Sequence, residues 1–268
     1  MSSNLYLVPH DFTPVGDVAL KYAIHLSKHV NVEIRLLHVV ASKSDAPKAI
    51  AKLDEIISKA EVHSGVTFSK SVREGSIFDQ ISSLAKKDGA QLIIMGTHGA
   101  LGLQKLLGSN AMKVVTSSDT PFIILQKDTP IRDIKNIVVP IDLTKESLQI
   151  INNAGDLAAI FGAKVHVVGE KQHDESLSIK MKNRILIVKN QYEERKVPCI
   201  VELIPPGGSY SKKIIAYAQK NEIDMVAIAY HTESLLPQFD TFAQSLITNE
   251  SKLPCLILKS KPASNLYF

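Results

Sequence analysis

One glycine-rich segment of the chain has the residue types and spacing of an anion-binding turn. Its pattern over residues 96–110 is G-x2-G-x8-G-S-N, formed by Gly96, Gly99, Gly108, Ser109 and Asn110. Glycine lets backbone N–H groups approach an anion closely, and a helix that begins at such a place adds free N–H groups and the positive end of its dipole. Since an apolar run precedes this segment and a helical pattern follows it, we expect these five residues to surround phosphate.

Two positions earlier in the chain could bind the other parts of a nucleotide. Asp11 follows the first apolar run, where a carboxylate can accept hydrogen bonds from ribose hydroxyls. Val39 and Val40 end the second run and could offer adenine backbone groups and an apolar wall. An Asp after a strand is also a common turn or capping residue, and a lone pair of glycines is usually only a turn. Because these positions follow the first, second and fourth apolar runs, the sequence favours one shared pocket.

The sequence lacks the motifs of fast nucleotide-processing enzymes. It contains no G-x4-G-K-[ST], no H-x-G-H and no S-G-G-x-D-S phosphate loop. His98 lies among the glycines, but its counterpart His231 persists where glycines are absent, which favours a structural role over catalysis. We therefore assign no catalytic residue. Slow nucleotide hydrolysis or autophosphorylation stays open, with Thr97, Ser109 and Thr116 as nearby hydroxyls.

The composition is that of an ordinary folded protein. Of 268 residues, 45% are hydrophobic and 22% charged, and the formal net charge is only +4, which argues against a dedicated nucleic-acid binder. The N-terminal sequence does not read as a secretion signal, and the longest aliphatic runs are far shorter than a membrane span. Cys199 and Cys255 are too few for a disulfide framework and match no common zinc spacing. We expect a cytoplasmic protein without membrane contact, with both cysteines buried in core strands.

The chain repeats one unit of about 130 residues. Four features recur in the same order: Pro9 and Asp11 as Pro140 and Asp142, Gly75-Ser76 as Gly208-Ser209, His98 as His231, and residues 120–125 as residues 253–258. We predict a first domain over residues 1–129 and a degenerate second domain over 130–262. Residues 263–268 resemble a remnant of a protease tag and are left out of the fold prediction.

Each copy alternates short apolar runs with helical patterns. The apolar runs of the first copy are residues 5–8, 32–40, 66–72, 92–95 and 122–125. Its helical patterns cover residues 18–26, 50–60, 76–87 and 109–117, with Thr13 as N-cap of the first helix and Pro14 at its first position. The second copy has apolar runs near Ile137, Val165, Val201, Val226 and Leu256. Parallel crossovers need helices, and continuous apolar strands need covers on both faces, so the pattern predicts an α/β fold with two five-stranded parallel sheets.

Four motifs resemble those of the universal stress protein family, in its tandem form with two domains in one chain. They are V-P-H-D-F-T at residues 8–13, L-H-V at 37–39, I-M-G-T-H-G at 94–99 and G-S at 108–109. The resemblance covers residues 4–260. It implies a doubly wound, Rossmann-like sheet of strand order 3-2-1-4-5 in each half, and a regulatory stress-response protein that binds ATP, with or without Mg²⁺.

The same resemblance implies a role for each site residue. Asp11 would hold the ribose, and the backbone of Val39 would meet the adenine. The phosphates would be surrounded by Gly96, Gly99, Gly108, Ser109 and Asn110.

The second copy departs from this pattern. Ala229-Tyr230-His231-Thr232-Glu233 stands where the first copy has Gly96-Thr97-His98-Gly99, and no glycine occurs after Gly208. Glu233 and Asp240 would add carboxylates where phosphate should lie, and like charges repel. We therefore predict one nucleotide per chain, in the first copy, and interpret Asp142 as a cap or turn residue.

The fifth strands offer an explanation for the duplication of the domain. Residues 121–125 and 254–258 are short, apolar and expected at sheet edges, where unpaired backbone groups invite pairing. In the family such strands meet across a two-fold axis, so the resemblance implies intramolecular pairing of the two domains about a pseudo-two-fold axis, with a further homodimer left open. The alternative to a nucleotide-binding protein is an association scaffold that binds no nucleotide.

Overall fold

The chain divides into two compact units, Met1–Ile131 and Arg132–Phe268. The structure is a computed structural model that describes residues 4–97, 109–230 and 241–261. The domain boundary between residues 129 and 130 stays a prediction. None of the described helices is both long and apolar enough to cross a membrane.

The first unit alternates strands and helices along the chain. Its described strands are β1 (Asn4–Pro9), β2 (Val32–Val40), β3 (Thr67–Glu74), β4 (Leu92–Gly96) and β5 (Phe122–Leu125). Its described helices are α1 (Pro14–Ser27), α2 (Ala46–Ser64), α3 (Ile77–Asp88) and α4 (Ser109–Ser117). The strands pair in parallel in the order β3-β2-β1-β4-β5. The predicted α/β fold and its 3-2-1-4-5 order are confirmed for this unit.

The second unit repeats the same order. Its described strands are β6 (Asn136–Ile141), β7 (Lys164–Glu170), β8 (Cys199–Ile204), β9 (Met225–Tyr230) and β10 (Cys255–Lys259). Its described helices are α5 (Ile151–Phe161), α6 (Glu175–Glu194), α7 (Tyr210–Lys220) and α8 (Thr241–Ile247). The parallel order is β8-β7-β6-β9-β10, which confirms the predicted duplication of the fold.

The central strands form the core of each unit because helices cover them. Residues 5–8 of β1 and all of β5 are buried. Helix α1 packs on β4, and α3 packs on β1 and β2. This arrangement leaves the loops at the C-terminal ends of the strands free to form a binding site.

The third strand of each unit lies at the outer end of its sheet and is more exposed than the centre. No residue of β3 is buried, and β8 buries only Ile204. Cys199, at the start of β8, is therefore only partly buried, and its prediction as a core residue was wrong. Cys255 is fully buried in β10, as predicted.

Helix α1 begins where the sequence predicts, but with different hydrogen bonding. Thr13 is extended and Pro14 opens the helix. Thr13 occupies the N-cap position, but its hydroxyl accepts no hydrogen bond from the helix and donates one to Asp11 Oδ1. Asp11 therefore organises the entry to the helix.

Candidate functional site

A cavity of about 280 Å³ lies at the C-terminal ends of β1, β2 and β4 in the first unit. Its walls are formed by residues 9–11, 37–41 and 95–96, with residues 15–16 of α1 and Gly75 and Ile77 at the start of α3. This is the edge at which doubly wound parallel sheets bind ligands. Most of the side chains around it are aliphatic, which suits a flat apolar group.

The structure brings three of the seven predicted site residues to this cavity: Asp11, Val39 and Gly96. Ser109 and Asn110 form the first turn of α4, and their side chains lie outside the described part of the chain. Gly99 and Gly108 lie outside the described residues altogether. The described residues therefore include those proposed for the ribose and the base.

Asp11 is held by a turn that uses one of its carboxylate oxygens. Its Oδ1 accepts hydrogen bonds from the backbone N–H of Thr13, at 3.2 Å, and from the Thr13 hydroxyl. The interpretation of an Asp at this position as a turn residue is thus correct for Oδ1. Among the described residues, Oδ2 has no hydrogen bond, so a second acceptor remains at the cavity wall.

Val39 extends beyond the end of its neighbouring strand. Pro9, the last residue of β1, pairs with Leu37, and the His10 N–H donates to Leu37 O at 2.8 Å. In a parallel ladder, residues two apart turn their backbone groups to the same side. The N–H and C=O of Val39 therefore face the β1 side at a height where that strand has ended, and they can bind the edge of a flat ligand.

His10 fixes the backbone at the end of β1, a role that the sequence analysis missed. Its side chain is completely buried. Nδ1 accepts from the Phe12 N–H at 3.1 Å, which leaves Nε2 to donate to Asp17 Oδ1 at 3.2 Å. Burial lowers the pKa of His10 below its ordinary value and outweighs the opposing attraction of Asp17. The imidazole is thus held neutral in one tautomer.

Phe12 adopts a backbone conformation that is rare for a bulky residue. Its φ is +62°, in the left-handed region. The ring packs on His38 with 4.2 Å between ring centroids, and Lys52 Nζ lies 5.0 Å from the Phe12 centroid, within reach of a cation–π interaction. His38 Nδ1 in turn donates to His10 O at 2.7 Å. These contacts hold Asp11 between two fixed neighbours.

Gly96 has a packing reason for its lack of a side chain. A Cβ at this position would lie 2.3 Å from Val15 Cγ2 and 2.9 Å from Val15 O. Gly16 plays a similar part, since a Cβ there would lie 3.1 Å from Asp11 Oδ1. Both glycines let α1 approach the strand ends that form the cavity.

The second unit keeps the aspartate turn at the corresponding place. Asp142 Oδ1 accepts from the Thr144 N–H at 2.7 Å and from its hydroxyl. The interpretation of Asp142 as a turn residue is confirmed. The buried Arg184 donates to the carbonyl oxygens of Asp142, at 3.0 Å, and of Thr144, which ties α6 to this turn.

A smaller cavity of about 210 Å³ remains at the strand ends of the second unit. Tyr210, the first residue of α7, forms part of its wall and reaches the backbone at the ends of β6 and β7. Phe242 stacks on the Tyr210 ring at 5.4 Å between centroids. No sequence motif marked Tyr210 in advance. Glu233 and Asp240, expected to repel phosphate here, lie outside the described residues.

Metal-binding side chains are not grouped in the parts of the chain that the structure describes. Within residues 4–97, 109–230 and 241–261, no cluster of three or more His, Cys, Asp or Glu residues could hold a metal ion.

Comparison with known proteins agrees with this architecture. The sequence model of the universal stress protein family matches residues 6–126 and 133–259. The chain belongs to the universal stress protein family. This universal stress protein is 29% identical over 147 residues to one from Methanocaldococcus jannaschii, a match that covers 46% of this chain and 84% of that relative.

Solved universal stress proteins share the fold. One from Archaeoglobus fulgidus DSM 4304 superposes with a TM-score of 0.77 at 17% identity and covers 97% of this chain and 99% of its own. A universal stress protein from Archaeoglobus fulgidus solved in complex with dAMP gives a TM-score of 0.40 at 16% identity, over 48% of this chain and 100% of its own.

Proposed function

We propose that the first unit of this universal stress protein binds one molecule of ATP and that this binding serves a regulatory role in the stress response. The observation that carries the proposal is the cavity at the ends of β1, β2 and β4, because it joins Asp11, Val39 and Gly96 at one site. Its volume of about 280 Å³ is near the lower end of the range of about 300–1,000 Å³ for ligand pockets. It suits a nucleoside, with the phosphates bound outside it.

Each part of the nucleoside has a suitable partner in the cavity. The backbone N–H and C=O of Val39 can bind the polar edge of adenine, and Leu37, Ile77 and Met95 offer apolar contacts. Asp11 Oδ2 can accept hydrogen bonds from ribose hydroxyls. The first turn of α4, with Ser109 and Asn110, is proposed to bind phosphate together with Gly99 and Gly108.

The described side chains favour binding over rapid turnover. His10 already uses both ring nitrogens, one as acceptor and one as donor, so it is not placed to act as a general base. His38 Nδ1 is bonded to His10 O. The cytoplasmic location, the pairing of the fifth strands and a homodimer stay predictions from the sequence.

The test is to identify bound nucleotide in the purified protein and then to measure ATP affinity by calorimetry, with Asp142→Ala as the matched control for Asp11→Ala. Both variants lose the same turn, but only Asp11 is proposed to touch ligand. Loss of a charged hydrogen bond costs about 1.5–3 kcal/mol, so Asp11→Ala should weaken ATP binding about 10- to 100-fold, whereas Asp142→Ala should leave it unchanged.

Two results would contradict the proposal. One is a wild-type protein that carries no adenine nucleotide and does not bind ATP at millimolar concentration; the other is an equal loss of affinity in both aspartate variants. A phosphate-release assay on the wild type, with Gly108→Val plus Ser109→Ala as the reference, separates binding from slow hydrolysis.

A further inference from the structure

The two units differ at the first residue of the helix that follows their third strand. The sequence Gly75-Ser76-Ile77 opens α3, and Gly208-Ser209-Tyr210 opens α7. In the first unit Ile77 is part of the cavity wall. In the second unit the corresponding tyrosine extends to the strand ends.

The Tyr210 hydroxyl reaches two backbone carbonyl groups at the ends of β6 and β7. It donates to Val168 O at 2.7 Å and lies 3.0 Å from Ile141 O. Pro140 pairs with Val168 just as Pro9 pairs with Leu37. By this register, Ile141 corresponds to His10 and Val168 to Leu37.

The carbonyl groups of His10 and Ile141 correspond, and a different side chain lies beside each of them. In the first unit, His38 Nδ1 donates to His10 O from the neighbouring strand. The residue that corresponds to His38 is Gly169, which has no side chain, and a Cβ there would lie 3.0 Å from Met181 Sδ, so this place is tightly packed. The polar group beside Ile141 O comes from α7 instead, and the phenol ring spans the space between that helix and the strand ends.

Contacts with its surroundings hold the ring in this place. Phe242 stacks on it with an interplanar angle of 11°, and Lys213 Nζ lies 6.0 Å from its centroid. Lys213 is itself paired with Glu170, the last residue of β7. Glu170 is the residue that corresponds to Val39, so Lys213 connects the ring to the strand position at which adenine would bind in the first unit.

We propose that Tyr210 occupies the base subsite of the second unit, so that the pair Ile77 and Tyr210 determines which unit accepts an adenine nucleoside. This inference rests on the proposed function of the first unit. The tyrosine places a flat ring at the strand ends, with its hydroxyl against the backbone carbonyl groups of Val168 and Ile141. The smaller volume of the remaining cavity, about 210 Å³ against about 280 Å³, agrees with a partly filled site.

The test counts adenosine sites by equilibrium dialysis, because adenosine needs no phosphate turn. Wild type should bind one adenosine per chain and Tyr210→Ile two, the second site being the weaker. Ile77→Tyr should weaken binding in the first unit at least about tenfold. Tyr210→Phe keeps the ring and should stay at one site.

The outcomes separate this inference from the proposed function. Two sites in wild type, or a folded Tyr210→Ile that gains no site, would overturn the inference. If wild type binds ATP by calorimetry but no adenosine, the proposed function stands, and a gain from zero to one adenosine site in Tyr210→Ile would support the role of Tyr210. If wild type binds neither ligand, the proposed function fails. If Tyr210→Ile does not fold by circular dichroism, Ile77→Tyr decides, since unchanged affinity in that variant would contradict the inference.

Discussion

The residues at the end of β1 form a chain of contacts that fixes one carboxylate. The buried His10 holds the Phe12 N–H, the Phe12 ring packs on His38, and His38 returns a hydrogen bond to His10 O. The positive φ of Phe12 is maintained by these neighbours, as is usual for strained backbone at functional sites. Asp11 lies inside this arrangement and needs little reorganisation to bind a ligand.

His10 should make the stability of the first unit depend on pH. Its pKa is lowered from 6.5 by burial, so in the window below pH 6.5 the unfolded chain binds more protons than the folded one. The contribution of neutral His10 to the free energy of unfolding should therefore be fully present above pH 6.5. It should be lost as the pH falls from 6.5 through the pKa of His10 in the folded state. Urea unfolding at several pH values between 5 and 7.5 measures the slope.

The variant His10→Asn can accept from the Phe12 N–H but does not titrate, so its slope should be shallower than that of wild type. Substitution of the exposed His29 by Asn is the control and should leave the slope unchanged. An unchanged slope in His10→Asn would assign the pH dependence to other groups.

For individual residues, the sequence predicted which ones lie at the strand ends better than it predicted which side chains they contact. Asp11 and Val39 could be placed because they follow apolar runs, and strand ends of a parallel sheet meet at one edge. The roles of His10, Phe12 and Tyr210 depend on which side chain of a distant segment packs beside them. A single sequence without contacts does not contain that information.

Among the elements, a close approach between α1 and the end of β4 shapes the site. Gly96 allows this close packing, because a side chain at this position would clash with Val15. The glycine was predicted for its backbone freedom near phosphate, whereas the structure adds a packing requirement. Its presence is thus explained even without a ligand.

Gly96→Ala should destabilise the first unit by about 3 kcal/mol, at the upper end of the range for overpacked sites. One of the atoms in the way is the backbone oxygen of Val15, which cannot rotate aside. Gly89→Asn is the control: Gly89 has φ +65° with no atom within 4 Å of an added Cβ, and Asn tolerates this conformation. Chemical unfolding measures both, and equal effects would show that packing at Gly96 is not tight.

Strand positions were predicted within about two residues because continuous apolar runs are a strong signal. Helix α2 begins four residues before the predicted position 50, at Ala46, since its first turn, residues 46–49, contains no large apolar side chain that would extend the helical period in the sequence. The burial of residues in the edge strand β8 was harder to predict, because the burial of Cys199 depends on the position of β8 in the sheet rather than on residue type.

For the whole molecule, duplication has produced two units with one fold and different strand-end cavities. The second unit keeps the turn of Asp142 but adds Tyr210 and Arg184 at the same edge. From the sequence, the loss of glycines predicts a single nucleotide site per chain. The Tyr210 side chain at the strand ends of the second unit gives a second reason for that prediction.

ATP should therefore protect one unit from hydrogen exchange and not the other. A ligand at 100 times its Kd stabilises the species that binds it by about 2.7 kcal/mol. With saturating ATP, exchange measured by mass spectrometry should slow in peptides that contain residues 9–16, 37–41 and 75–77. Peptides with residues 140–147 and 168–170 should exchange at unchanged rates, and equal protection of both sets would contradict a single binding unit.

The aspartate turn is present in both units, and in each its carboxylate accepts from the N–H and hydroxyl of the threonine two residues further on. Selection for folding alone can thus preserve this acidic residue, whether or not it meets a ligand. Under the proposed function, a genome survey that counts the aspartate motif would assign two nucleotide sites to such a gene. The residue after the Gly-Ser pair, Ile77 or Tyr210, would then distinguish the half proposed to bind from the half proposed not to.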